Sequence, residues 1–134
     1  FRSFPFVQFD LPRKRILLAT SQDYQPDESR LLATLPLQEE KGALACVVLL
    51  DGKSVKALLD IAGNFELAMD KPLTSQVRQL TASDLVLRQV PIENAHDLGL
   101  GLPDAPRLGR RLLERYLITI DFRQKVIHFE RPAG

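Results

Sequence analysis

The chain has 134 residues, of which 45% are hydrophobic and 26% are charged, and its formal net charge is +1. This length predicts one domain with its own core, and so small a net charge argues against a nucleic-acid-binding surface. No apolar stretch approaches the ~20 residues that a membrane helix needs, and one cysteine and two histidines offer no metal-ligand spacing. The chain begins at Phe1 rather than Met, so we expect a processed product or a piece of a longer protein.

The first part of the chain predicts a hairpin followed by a linker. Apolar residues at 4–10 and 15–20 flank a basic turn, which is typical of two antiparallel strands. The stretch 21–29 is polar and contains Pro26, so we expect a linker or loop there. Short apolar runs then predict further strands at 30–37, 43–50, 55–60, 66–69, 76–81, 85–90, 116–121 and 125–130.

One helix is predicted near the C-terminus, at 108–115. Leu108, Leu112 and Leu113 fall on one face of that helix. Four nearby arginines are interpreted as a solvent-exposed face: Arg107, Arg110, Arg111 and Arg115. The predicted fold class is therefore all-β, with one short helix near the C-terminus.

Asp60 is the residue on which the functional interpretation depends. It ends a strand that follows the hairpin signal Asp51-Gly52, and the small residues Ala62 and Gly63 turn the chain after it. A carboxylate at the end of a buried strand costs free energy unless it is hydrogen-bonded or has a chemical role. Asp60 is therefore either a structural acid that caps the following turn or a site residue.

A repeated hairpin pattern links the two ends of the chain. Residues 6–16 match residues 117–127, since each stretch is an apolar strand, an aspartate, a basic turn and a second apolar strand. The two aspartates, Asp10 and Asp121, are interpreted as turn-forming acids. One alternative is that hairpins simply look alike. The other is that the chain opens with the last hairpin of one unit and then carries a whole second unit.

Three segments form one pattern by their order and spacing. L-L-D-I-A-G at 58–63 follows a strand and an Asp-Gly hairpin, R-L-G at 107–109 precedes the predicted helix, and 116–129 forms a closing pair of strands. This pattern resembles the retropepsin and pepsin family of aspartic peptidases, most closely its bacterial retropepsin-like domains. The family has apolar-apolar-Asp-Thr/Ser-Gly-Ala at the first position and a glycine before a short helix at the second. The resemblance covers roughly residues 44–132.

The resemblance implies a retropepsin-like barrel lobe at 30–134, with 1–20 as a hairpin left from a preceding lobe and 21–29 as the linker. It implies an aspartic endopeptidase in which Asp60 is one of two carboxylates that share a proton. The second carboxylate would come from the preceding lobe or from a homodimer partner. The implied substrate is an extended peptide or protein, and no metal or organic cofactor is implied. The family also suggests a periplasmic or secreted protein.

The residues after Asp60 depart from the family pattern. Ile61 replaces a Thr or Ser whose hydroxyl braces the site, and Ala62 replaces the glycine, which arrives one place late as Gly63. Loss of a hydroxyl from a buried polar network leaves its partners unsatisfied, at ~1–3 kcal/mol per group. The alternative to a working peptidase is therefore a catalytically inactive module of this fold that binds peptides or proteins. A third possibility is an asymmetric pair whose other lobe carries the intact motif.

Substrate contacts are expected from two places. The first is the stretch Ile61, Ala62 and Gly63 beside the aspartate. The second is the hairpin predicted at 76–90, which follows the aspartate turn where the family places a flap that covers the substrate. The tip of that hairpin consists of Ala82, Ser83 and Asp84. The loop 96–106 could overhang the site instead.

The remaining distinctive residues receive structural interpretations. Cys46 lies in an apolar run and is expected in the core. His128 falls on an outward-facing strand position together with Gln124 and Glu130, so we expect it at the surface. His96 stands beside Asp97, but no serine or cysteine nucleophile is placed with that pair, so we expect no catalytic role for it.

Overall fold

The computed structural model describes residues 4–19, 24–40, 42–99 and 105–132. Within these ranges the chain is built almost entirely of β-strands and has one helix of four residues. No helix among them is long and apolar enough to cross a membrane. In chain order the elements are β1 (Phe6–Asp10), β2 (Arg15–Ala19), β3 (Leu31–Pro36), β4 (Gln38–Glu40), β5 (Ala43–Leu50), β6 (Lys53–Asp60), β7 (Leu67–Met69), β8 (Gln76–Ala82), β9 (Leu85–Asn94), β10 (Arg107–Gly109), α1 (Arg110–Leu113), β11 (Leu117–Asp121) and β12 (Val126–Glu130).

Six strands close into a barrel. Their order is β5, β6, β10, β7, β9 and β8, and the barrel closes where β8 pairs with β5, with Thr81 opposite Leu49. β4 extends the sheet beside β5. Closure satisfies backbone groups that an open sheet would leave exposed at its edges. The predicted all-β architecture with one short helix near the C-terminus is confirmed.

The other five strands form a second sheet, in the order β2, β1, β11, β12 and β3, which we call the terminal sheet. One of its faces contributes to the same buried hydrophobic cluster as the barrel. Cys46 on β5 lies in this cluster and is fully buried, as predicted. Burial raises the pKa of its thiol to about 12. The terminal-sheet residues in the cluster are Val7, Phe9, Ala33, Leu35, Ile118, Ile120, Ile127 and Phe129.

The two hairpins that repeat in the sequence are both present in the terminal sheet. Asp121 ends β11, and its carboxylate accepts hydrogen bonds from the backbone N–H groups of Arg123 and Gln124, at 3.0 and 2.8 Å. The predicted role of Asp121 as a turn-forming acid is therefore confirmed. Asp10 ends β1 and forms an ion pair with Arg13 at 3.1 Å across the corresponding turn.

The opposite face of the terminal sheet carries several polar side chains, and the segment that precedes β3 covers part of it. Tyr24 packs against Phe6 with ring centroids 5.3 Å apart, and its hydroxyl donates a hydrogen bond to Glu130. The backbone N–H of Asp27 donates to the other oxygen of that carboxylate at 3.1 Å. Burial, reinforced by the hydrogen bond to Glu130, raises the pKa of Tyr24 to about 12, which keeps its proton on the donor. The described part of the predicted linker 21–29 is thus anchored to the sheet.

His128 is buried, so its predicted surface position is wrong. Only 5% of the surface of His128 is exposed, and only 1% of the surface of Glu130 on the same face. The ring nitrogen Nδ1 lies 2.9 Å from the Thr34 hydroxyl, and the ring centroid of Tyr24 lies 5.7 Å away. Strand alternation correctly placed His128 on the face away from the barrel. The burial results from the segment containing Tyr24, which covers that face.

We expect His128 to make the protein less stable in mild acid. Burial lowers its pKa below the usual 6.5, although the charges of Asp121 and Glu130 act in the opposite direction. The unfolded chain then binds a proton at this histidine more readily than the folded protein does. The neutral ring therefore costs the folded protein nothing above about pH 6.5, and the free energy of unfolding falls as the pH drops below that value. Urea titrations should give a smaller free energy of unfolding at pH 5 than at pH 7.5.

Two histidine variants check the assignment of this pH dependence. His128→Gln should reduce the difference between the two pH values, because it removes the titrating group. His96→Gln should leave the difference intact, because His96 lies in an exposed turn. An unchanged pH dependence in His128→Gln would contradict the assignment.

The helix is shorter than the sequence predicts. Residues 107–109 form strand β10, and α1 covers only Arg110–Leu113. The leucine spacing fits a longer helix, but β10 makes ladder hydrogen bonds with strands on both of its sides. Tertiary pairing therefore overrides the local pattern. The single helical turn of α1 nevertheless buries Leu112 and Leu113.

Candidate functional site

The site is built around β10, which lies between β6 and β7 although those two strands are consecutive in the chain. β10 runs parallel to β6 with Gly109 opposite Asp60, and antiparallel to β7 with Leu108 opposite Leu67. The connection from β6 to β7 therefore passes around the end of β10, and we call residues 60–66 the Asp60 loop. This arrangement leaves the Asp60 carboxylate at a strand end, with its side chain 21% exposed.

Two glycines allow the Asp60 loop and the start of α1 to approach closely. A Cβ atom at Gly109 would lie 2.1 Å from the carbonyl oxygen of Phe65, and one at Gly63 would lie 3.0 Å from Cγ of Asp60. The N–H of Gly63 donates to the Asp60 carbonyl at 3.1 Å, and its own carbonyl accepts the Arg110 N–H at 2.8 Å. Gly63 thus brings backbone close to the carboxylate, one position later than in the family pattern.

Three of the four arginines that were predicted to form a solvent-exposed face also hold the Asp60 loop. Arg110 and Arg111 both donate to the side-chain oxygen of Asn64, at 3.0 Å each. Arg115 forms an ion pair with Glu66. Arg111 and Arg115 are exposed, as predicted, but all three side chains also make contacts with the loop that the sequence did not predict. The reason is that β10 brings these cations beside a loop more than forty positions earlier in the chain.

The fourth arginine, Arg107, contacts Asp60 itself. Its Nη1 lies 3.6 Å from Oδ2 of the carboxylate, an ion-pair distance too long for a direct hydrogen bond. The two side chains are only 16% and 21% exposed, so water screens the pair less than it would at an open surface. The guanidinium therefore lies beside a carboxylate oxygen for which the sequence predicted no partner. Sequence reasoning missed this contact because strand β10 was interpreted as part of a helix.

We expect a coupling free energy of about 0.5–1 kcal/mol between Arg107 and Asp60, the upper part of the range for partly exposed ion pairs. A double-mutant cycle of Arg107→Gln, Asp60→Asn and both together, measured by urea unfolding at pH 7, isolates this value from the other contacts of each residue. The matched control is the more exposed pair Lys56–Glu40, with N and O atoms 3.4 Å apart. Its coupling should be smaller, and purely additive effects at Arg107 and Asp60 would contradict the expectation.

The structure places the other residues of the Asp60 loop in different surroundings. Ile61 is partly buried and packs against the hydrophobic core, which explains how its large side chain is accommodated. Ala62 is exposed, and Gly63 is partly exposed. Ala62 and Gly63 therefore lie beside Asp60 at a surface that another molecule can reach. Their predicted contact with substrate, like that of Ile61, stays a prediction.

The turn Ala82, Ser83 and Asp84 is not brought together with the Asp60 loop by any hydrogen bond among the described residues. Ala82 is buried, whereas Ser83 and Asp84 are exposed. The Asp84 N–H donates to the carbonyl of Leu32 at 2.9 Å, so the turn docks beside the terminal sheet. The role of this hairpin as a flap stays a prediction. The alternative overhanging loop 96–106 lies partly outside the described residues.

Sequence reasoning also missed a cleft of about 320 Å³ on the barrel. Leu73, in the connection between β7 and β8, is fully exposed beside it. Lys53 and Val55 line its other side, at the start of β6, so the cleft lies toward the opposite end of that strand from Asp60. The remaining lining residues are Leu50, Asp51, Met69, Pro72, Thr74, Val77 and Ile92.

Comparison with known proteins finds similar folds but no sequence match. No protein-family model matches the chain, and no curated protein matches it. Among solved structures, the chain is similar to a retropepsin-like aspartic protease from Rickettsia conorii, with a TM-score of 0.51 and 14% identity over 73% of this chain and 89% of that one. It is also similar to Basic 7S globulin from soybean, with a TM-score of 0.56 and 15% identity over 96% of this chain and 50% of that one.

The barrel, the interleaved strand β10 and these two similarities define the class of fold, an all-β retropepsin-like lobe. At such low identities the similarity supports the fold alone, and any chemistry must be argued from the residues of the site. The chain spans half the length of the soybean globulin, which has a pepsin-like fold.

Proposed function

We propose that this chain is one lobe of an aspartic endopeptidase and contributes Asp60 to a pair of catalytic carboxylates. The observation that carries the proposal is the position of Asp60 at the end of β6, opposite Gly109 on the interleaved strand β10. Gly63 keeps backbone close to the carboxylate, and the side chain remains partly exposed. An acid held in this way can face a second acid across an interface between lobes.

The proposed chemistry requires two carboxylates at close range. Two like charges a few ångströms apart cannot both ionise cheaply, so the pair holds one proton between them. The ionised carboxylate takes a proton from a water molecule as that water attacks the peptide carbonyl, and the protonated carboxylate donates a hydrogen bond to the carbonyl oxygen. The substrate is an extended peptide segment, bound partly by strand pairing.

The second carboxylate is proposed to come from a preceding lobe. The repeated hairpin supports this origin, because β1 and β2 match β11 and β12 in pattern and β1 pairs with β11 in the terminal sheet. The length relationship to the soybean globulin also fits a two-lobe protein. A homodimer partner is the alternative source, and the requirement for a second acid is the same in both cases.

The test is peptide cleavage by the assembled two-lobe or dimeric protein, assayed from acid to neutral pH. We expect cleavage that a pepstatin-like inhibitor blocks, because such inhibitors bind across the paired carboxylates. If neither cleavage nor inhibitor binding occurs at any pH in this range, the proposal fails.

A second candidate function is a peptide- or protein-binding module without catalysis. The ion pair between Arg107 and Asp60 favours it, because the guanidinium lies beside a carboxylate oxygen that a proton-sharing pair would use. Ile61 also favours it, because the loop has no hydroxyl at that position. This candidate predicts that peptides bind without being cleaved and that Asp60→Asn leaves their binding affinity unchanged.

A further inference from the structure

The cleft bordered by Leu73 and Lys53, which we call the barrel mouth, lies at one end of the six-stranded barrel. β6 starts with Lys53 at this end and finishes with Asp60 at the other. The eight residues of β6 separate the two ends by about 23 Å along the strand. A molecule in the barrel mouth therefore stays clear of the site proposed around Asp60, and its binding requires no catalysis.

Five neighbouring strands give the barrel mouth an apolar wall. At this end of the barrel β5 finishes with Leu50 and β8 begins beside Val77, and both of these side chains are buried in the core. The wall residues of the other three strands are partly buried and pack against the same core. The mouths of β-barrels are common places for small-molecule sites. In strand order the wall residues are Leu50, Val55, Met69, Val77 and Ile92.

The connection between β7 and β8 extends this apolar wall. Pro72, Leu73 and Thr74 border the barrel mouth, and the Thr74 hydroxyl donates to the Gln76 carbonyl at 2.9 Å, which braces the connection. Leu73 is fully exposed. A single exposed leucine is ordinary at a protein surface, but this one stands at the rim of an apolar cleft. A molecule in the cleft would contact Leu73 on one side and the core on the other.

A lysine adds a positive charge at the rim. Lys53 pairs directly with Leu50 in the ladder between β5 and β6, so both side chains lie on the inward face of the barrel. Within the described part of the chain, the Lys53 ammonium forms no ion pair. Asp51 is the acidic residue of the lining, and its Oδ1 already accepts the Gln79 N–H at 2.9 Å. The barrel mouth therefore combines an apolar wall with one available cation.

We propose that the barrel mouth binds a single-chain carboxylate, with its alkyl chain on the apolar wall and its head group at Lys53. The cleft volume of about 320 Å³ equals that of about ten water molecules at ~30 Å³ each, which is room for a chain of about eight carbon atoms. The charge complementarity at the rim selects an anionic head over a cationic one. Leu73 covers the chain from the solvent side.

The test titrates the full chain with octanoate and follows Met69 by NMR. Met69 is the one methionine of the sequence, so carbon-13 labelling of methionine methyl groups places a signal in the barrel mouth. This signal should shift and saturate with a Kd of about 1 mM or below. Hexanoate lacks two methylene groups and should bind about fifteenfold more weakly, at about fourfold per group. Octylammonium, which has the opposite charge, should also bind more weakly than octanoate.

Two pairs of variants separate the head-group contact from the chain contact. Lys53→Met should weaken octanoate binding about two- to fivefold, as expected for an exposed ion pair. Its control is Lys56→Met, because Lys56 lies on the outward face of the same strand and pairs with Glu40. Leu73→Ser should weaken octanoate and octylammonium alike. Its control, Leu98→Ser, changes an exposed leucine outside the lining and should leave both affinities unchanged.

Three results would overturn the proposal. The first is a Met69 signal that does not move with octanoate. The second is equal octanoate affinity in Lys53→Met and Lys56→Met, or octylammonium binding as tight as that of octanoate. The third is a Met69 signal that shifts with protein concentration alone, together with a dimer in sedimentation measurements, which would assign the barrel mouth to a second copy of the chain. None of these readouts depends on peptide cleavage.

Discussion

Replacing Asp60 by Asn should reduce peptide cleavage by the assembled protein about 10²–10⁴-fold, the contribution of a positioned general acid or base. The amide keeps the size and shape of the side chain but cannot accept the proton of the attacking water. Because the change is isosteric, the strand pairing of Asp60 with Gly109 should persist. The measurement is kcat/KM for a peptide substrate, compared with the wild type at the pH of maximal cleavage.

Asp10→Asn is the matched control for this experiment. Asp10 is also a partly buried aspartate at a strand end, and it forms ion pairs with Arg13 and Arg15 at 3.1 and 3.5 Å. It lies in the terminal sheet rather than in the Asp60 loop, so its variant should retain full cleavage. Wild-type kcat/KM in Asp60→Asn would show that Asp60 is not a member of a catalytic pair, even if the protein cleaves peptides.

Gly109→Ala should destabilise the protein by about 3 kcal/mol or more, at or above the upper end of the usual cost of overpacking. The new methyl group would lie 2.1 Å from the Phe65 carbonyl oxygen and 2.5 Å from its ring. The ring can rotate, but the carbonyl belongs to the backbone of the Asp60 loop. That carbonyl also accepts the Arg111 N–H at 3.1 Å, so moving it breaks the junction between the loop and α1. Urea unfolding measures the loss.

Gly52→Ala serves as the control for a glycine substitution without a clash. No atom lies within 4 Å of a Cβ at that position, but the backbone φ of +83° is unfavourable for alanine. We expect a loss of about 1 kcal/mol from this conformational strain alone. Equal destabilisation by the two substitutions would contradict the packing role of Gly109.

The sequence was sufficient to predict the described strands other than β4 and β10, the two terminal hairpins and the position of Asp60 at the end of β6. These features depend on alternating apolar residues and on the Asp51-Gly52 turn, which are local signals. The pairing of Gly109 with Asp60 was not predicted from spacing, because residues far apart in the chain meet only through the barrel. The short strand β10 has three residues, too few for a periodic pattern, and the leucines that follow it favoured a helix.

The contacts of charged and titratable residues were the least predictable part of the structure. Alternation placed His128 on the correct face, but nothing local indicates that Tyr24 covers it. The arginines near α1 have ordinary helix-face spacing, yet Arg107 pairs with Asp60. Such contacts depend on which distant backbone segment lies within reach of a long side chain, and that is decided by the whole fold.

The interleaved position of β10 also has a consequence for the order of folding during synthesis. β6 and β7 leave the ribosome first, but the space between them is filled by a strand made about 40 to 50 residues later. Contacts between such distant positions form slowly, because the intervening chain must first lose conformational freedom. The Asp60 carboxylate therefore has no fixed surroundings in the nascent chain, and the site forms only after residues up to Arg115 have emerged.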